Sequence, residues 1–136
     1  MTSRRGSGSV RASGEDDAGA LNEVRLRGRL AAAPEEREMP SGDRYVVFRL
    51  VVDRPAAARS SAGSARFDTL QCTAFRAEAR RRLLRWERHD VVEVRGSLRR
   101  WFFHRGADSG SRYQVEVESA ARVTRAGQEG RATMAG

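Results

Sequence analysis

At 136 residues with 39% hydrophobic side chains, the chain can fill one core but hardly two. The net charge is +8, carried entirely by arginine, a side chain that grips phosphate bidentately and stacks on flat rings. No run approaches the roughly 18–20 apolar residues of a membrane span. The opening residues lack the apolar stretch of a secretory signal, and the single cysteine, Cys72, excludes an internal disulfide framework, so a reducing cytoplasm is the expected compartment.

Residues 1–21 are rich in Gly, Ser, Ala and balanced charge and show no periodicity, so they are expected to be disordered. The first strand is expected at 22–30. Val24, Leu26, Gly28 and Leu30 alternate there with Arg25, Arg27 and Arg29, the period of a half-buried strand. Pro34, Pro40 and Gly42 mark 31–43 as a turn region. In the second strand, 44–52, Val46, Phe48, Leu50 and Val52 share one face, and Tyr45, Val47, Arg49 and Val51 the other. A loop rich in Ala, Ser and Gly at 53–66 has nothing to bury.

The third strand, 67–75, sets Leu70, Cys72 and Ala74 against Thr69, Gln71, Thr73 and Phe75. Residues 76–86 read as one short helix of good helix formers that plugs the core with Leu83 and Leu84. The fourth strand, 91–103, places Val92, Val94, Gly96 and Leu98 inward, and Arg95, Ser97, Arg99, Trp101 and Phe103 outward. Gly106, Asp108 and Gly110 mark a hairpin turn over 105–111. The last strand, 112–123, alternates Tyr113, Val115 and Val117 with Gln114, Glu116 and Glu118. The order of three strands, a helix and two strands predicts an all-β, five-stranded Greek-key OB-fold barrel over 22–124, with its helix between strands three and four. A flexible tail is expected at 125–136.

The charge is concentrated on the folded part. Residues 22–124 carry 21 arginines against 14 acids. The face opposite the core mixes these arginines with rings, the combination that holds single strands: rings stack unpaired bases, cations hold the backbone. The candidate nucleic-acid-binding set is Tyr45, Arg49, Phe75, Arg76, Arg99, Arg100, Trp101 and Phe103. Strand parity alone leaves Phe75 open to a core role, and leaves Val47 and Val51 open to cover by a partner chain.

These segments resemble the bacterial single-stranded DNA-binding proteins. The likeness rests on Val24 to Leu30, then Pro34-Glu35, Arg37 and Met39-Pro40-Ser41-Gly42. It continues through Phe48-Arg49-Leu50, Cys72-Thr73-Ala74-Phe75 with Ala77-Glu78, Val92 to Leu98 with Gly96, and Arg112-Tyr113 with Glu116-Val117. The resemblance implies a homotetramer, or dimer of dimers, that coats single-stranded DNA in replication, repair or recombination. It matches Phe75 and Phe103 to base-stacking aromatics and Arg99 to a backbone contact. Thr69 and Ala56 stand where relatives often carry rings, and His89-Asp90 where they usually carry Gly-Asp. The final seven residues hold no acid, so the acidic tip through which relatives recruit other proteins is not expected.

Other readings are open to test. No GxSxG, HExxH or Walker pattern occurs, and His89 and His104 stand apart from Cys72, so neither catalysis nor a metal or other cofactor is expected. The arginines of 76–88 suggest a duplex-reading helix, but no helix-turn-helix partner flanks them. An OB-fold can instead serve RNA or a protein partner, as in primosomal proteins.

Overall fold

The computed structural model describes residues 19–56, 65–105 and 107–127; within these the side chains of 103–105 and 108 are outside the description. The chain forms β1 (Val24–Leu30), β2 (Glu35–Glu38), β3 (Arg44–Asp53), β4 (Phe67–Ala74), α1 (Ala77–Leu83), β5 (Val91–Arg105) and β6 (Asp108–Thr124). The expected disordered termini lie mostly outside the described residues.

The strands join in the order β1-β5-β6-β4-β3-β2, and β1 also pairs with β3. Five strands thus close a circuit of pairings, with α1 between β4 and β5, which is the expected OB-fold order. Among these pairings only β4 with β6 is parallel. Alternation on β3, β4, β5 and β6 delivers Val46, Phe48, Leu50, Cys72, Ala74, Val92, Val94, Val115 and Val117 to one core. Ala79, Leu83 and Trp86 complete it from α1 and the turn beyond, at the i, i+4, i+7 spacing of one helix face. Burial pushes the Cys72 thiol up to about 12, which leaves it without thiolate reactivity at neutral pH.

Three local expectations are corrected. The turn region 31–43 contains a sixth strand, β2, whose Glu35-Glu36-Arg37-Glu38 pairs with residues 44–47 of β3. All four side chains are exposed, so only the backbone ladder makes it a strand and no apolar period could announce it. The helix is shorter than 76–86: Arg76 is its extended N-cap and Leu84 its C-cap. Leu98 has the inward parity, opposite Val115, yet is 45% exposed. The cause is length. The pairing of β1 with β5 ends at Gly96 and that of β4 with β6 at Val115, so beyond these points β5 and β6 continue as a two-stranded ribbon with little core beneath it.

Two places hold the chain in this shape. At Gly96 an added Cβ would lie 1.9 Å from the Glu116 carbonyl oxygen, beside a register shift that leaves one extra residue on β6. At the entry to β5, His89 adopts a left-handed backbone, φ 76°, a conformation that glycine takes up without the cost a side chain brings. Its N–H donates to the Leu30 carbonyl at 2.9 Å. The adjacent Asp90 is 2% exposed. Its carboxylate accepts the Glu87 N–H at 2.9 Å and the Ala126 N–H at 2.6 Å, and pairs with Arg122 at 3.5 Å. Burial by itself would raise this carboxyl; the two backbone donors and the guanidinium outweigh it and hold it below its ordinary value.

Asp90→Asn should lower unfolding stability at pH 7 by roughly 1.5–3 kcal/mol, measured from the urea midpoint. A depressed folded-state value means that the contribution is fully present above the ordinary 3.8 and is lost as pH falls through the folded value. The deficit of the variant should therefore stay constant at higher pH and close only in acid. Gly96→Ala should cost about 3 kcal/mol by the same measurement, because the obstructing atom is backbone and cannot swing aside.

Candidate nucleic-acid interface

Because Val46 pairs with Ala74, Tyr45 and Phe75 emerge side by side at one end of β3 and β4, on the face opposite the core. Their rings stack with centroids 5.5 Å apart and planes at 28°. Trp101, from the β5–β6 ribbon, completes a triangle: 6.0 Å and 24° from Phe75, 6.3 Å and 51° from Tyr45. These separations are those of favourable ring pairs. All three rings are half-buried, so each keeps surface open to solvent. Arg80 steadies the group from behind, its Nε donating to the Phe75 carbonyl at 3.1 Å.

Along the same face a groove of about 440 Å³ is lined by Ala31, Arg37, Val47, Arg49, Gln71 and Arg112. Three guanidiniums thus meet around one channel. Arg49, opposite Gln71 in the register, has no ion pair among the described residues. Arg37 reaches Glu35 at 3.3 Å, and both ends of that pair are largely exposed. Such an exposed pair contributes little and yields readily to a phosphate. Arg99, two residues before Trp101, pairs with Glu116 at 3.4 Å.

The eight sequence candidates divide. Tyr45, Phe75 and Trp101 are brought into one cluster, and Arg49 and Arg99 lie at the outward positions of their strands. Phe103 pairs with Gly110 through its backbone, but its side chain is outside the described ones. Arg76 is exposed and caps α1 beside Phe75. Arg100 belongs elsewhere. It donates to Ser111 Oγ at 3.1 Å and lies 5.0 Å over the Phe102 ring, on the other face of the ribbon. Consecutive strand residues point to opposite faces, so Arg99 and Arg100 could not both serve this one.

Residues 21–125 match the profile of the single-strand binding protein family. The chain belongs to that family. No functionally curated protein matches it in sequence. Among solved structures it is similar to the Plasmodium falciparum protein described as "SSB complex with ssDNA", with a TM-score of 0.63 and 17% identity over 77% of this chain and 95% of that one. At that identity the likeness shows a shared fold.

In this member of the single-strand binding family, sequence reasoning missed Arg37 and Arg112. Arg112 had a signal, since it shares the parity of Gln114 and Glu116; Arg37 had none, because β2 has no period. It also missed a buried row on the outward face that starts at Val47 in the groove wall. Val47, Thr73, Glu116 and Ser97 form one cross-strand row, with Gln114 a neighbour. Val47, Thr73, Ser97 and Gln114 are buried despite their outward parity. Thr73 Oγ1 and Gln114 Oε1 find no hydrogen-bond partner among the described residues. Elsewhere among the described residues, no three His, Cys, Asp or Glu side chains gather as a metal site, and no helix is long and apolar enough to cross a membrane.

A buried hydroxyl without a partner is a standing cost. Thr73→Val, which keeps the branched shape, should raise unfolding stability by about 1 kcal/mol in urea titrations.

Proposed function

We propose that this protein binds single-stranded DNA without strong sequence preference, stacking unpaired bases on Tyr45, Phe75 and Trp101 while Arg49, Arg37, Arg112 and Arg99 hold the phosphates. The observation that carries this reading is the ring triangle at the head of an arginine-lined groove. A ring stacks on any base, and its surface is of use only where bases are unpaired. Guanidiniums then add an attraction indifferent to sequence and sensitive to salt. Phe103, two residues beyond Trp101, is a further stacking candidate by strand parity. The related fold in the Plasmodium complex with single-stranded DNA supports the same assignment. Replication, repair or recombination is the setting that this binding would serve.

Self-association into a homotetramer or dimer of dimers belongs to the same reading. The far face of the ribbon exposes Leu98, Phe102 and Tyr113 at 45%, 70% and 64%. That is an apolar strip of the kind that a second copy covers.

Trp86 is in the core, so a base reaching the site should quench Trp101 alone. Titration with oligo-dT is expected to quench fluorescence, and Trp101→Phe should remove most of the change. Trp101→Ala should weaken binding by roughly 1–3 kcal/mol. Arg100→Ala should change it little. Equal losses from Trp101→Ala and Arg100→Ala, or stronger binding of duplex or RNA than of oligo-dT, would overturn the assignment.

A further inference from the structure

Half of the net charge of +8 resides in thirteen residues that follow Phe75. Residues 76–88 hold six arginines against two glutamates. Within this stretch α1 runs from Ala77 to Leu83, and the bonds Leu84 N–H to Arg80, Arg85 N–H to Arg82 and Trp86 N–H to Leu83 carry the turn on to Trp86; Arg88 lies in the separate turn that leads into β5. Ala79, Leu83 and Trp86 face the core at i, i+4 and i+7. Arg81 and Arg85 lie two residues after Ala79 and Leu83, which puts them on the side of the helical turn away from the core; Arg88 follows in the next turn, and all three are exposed. None of the three has an ion pair among the described residues, whereas Arg80 pairs with Glu36 and Arg82 with Glu78.

We propose that this exposed arginine cluster is a second nucleic-acid surface, which takes the phosphate backbone of duplex DNA adjoining the single strand held on the rings. The chemistry separates it from the first site. Its one ring, Trp86, is 8% exposed and packed in the core, so no aromatic ring here is offered to an unpaired base. A surface in which guanidiniums outnumber the exposed Glu78 and Glu87 reads phosphates and not base pairing. It therefore favours whichever polyanion is denser, and a duplex carries about one charge per 1.7 Å of axis. The stretch is anchored through three core side chains, so its guanidiniums project from a fixed base and do not belong to a loose tail. Position connects the two surfaces. Arg76 follows Phe75 directly, and Arg80 is bonded to the Phe75 carbonyl, so a strand leaving the rings meets α1 next. The protein would thereby hold the junction between single and double strands.

This inference rests on the ring-site reading, and the two are separable by experiment. Oligo-dT, a blunt duplex and the same oligo-dT joined to that duplex are titrated against the full chain, against Trp101→Ala, and against the triple variant Arg81→Gln, Arg85→Gln, Arg88→Gln. The parent is expected to bind the junction more tightly than oligo-dT. The triple variant should lose that gain, keep its oligo-dT affinity, and show a salt slope on the junction shallower by about 2.7 for three lost phosphate contacts. Its urea midpoint should match the parent, since the three side chains are exposed. Trp101→Ala should weaken oligo-dT binding and leave the blunt duplex unaffected. Undiminished junction binding by the triple variant overturns the proposal, as does an equal loss on oligo-dT and junction. Failure of the ring reading shows separately, as an unchanged oligo-dT affinity in Trp101→Ala.

Discussion

At Gly28 strand β1 lies so close to β3 that an added methyl carbon would stand 2.3 Å from the Val51 carbonyl oxygen. That contact lets one strand of seven residues pair with β5 along its length and still meet β3 at Arg29 and Leu30. Closure of the pairing circuit depends on it, and Gly96 provides the matching close approach between β5 and β6. With the sheet curled on itself, the inward side chains share one core and the outward ones of β3, β4 and β6 come to flank a groove. A flat sheet of the same strands would leave both faces half wet and the rings apart.

The curl also explains the length of the final hairpin. Where β1 and β4 stop, β5 and β6 continue alone, and the ribbon carries Trp101 to Tyr45 and Phe75. Its two faces then have separate characters. One contributes a ring and Arg99 to the groove. The other shows Leu98, Phe102 and Tyr113, with Arg100 folded over Phe102. A two-stranded ribbon buries little by itself, so both faces are available to other molecules.

Arginine serves two purposes in this molecule, and pairing distinguishes them. Arg25 and Arg27 meet Glu93, Arg54 grips Asp68 with two hydrogen bonds, and Arg122 meets the buried Asp90. These guanidiniums stitch strands and termini together. Arg49, Arg81, Arg85 and Arg88 form no ion pair among the described residues, so their charge is not spent on a carboxylate. Composition alone shows an excess of positive charge; the pairing pattern shows which members carry it.

Strand parity made much of this molecule legible before its structure. On β3 and β4 alternation correctly placed Val46, Phe48, Leu50, Cys72 and Ala74 in the core and Tyr45 and Arg49 opposite them, while it left Phe75 open and did not foresee the burial of Val47 and Thr73. Parity also orders Arg112 with Gln114, a step that needed only the same rule. It could not reveal β2, whose four exposed residues obey no period, nor the exposure of Leu98, which follows from the lengths of neighbouring strands. What the chain determined by itself was therefore local: which residues alternate, where turns fall, and how much charge there is. Only the tertiary structure decided that three rings from β3, β4 and the distant ribbon share one site, and which guanidiniums are spent on carboxylates. Those facts arise from contacts between residues far apart in sequence, set by backbone approach and curvature, and no local pattern encodes them.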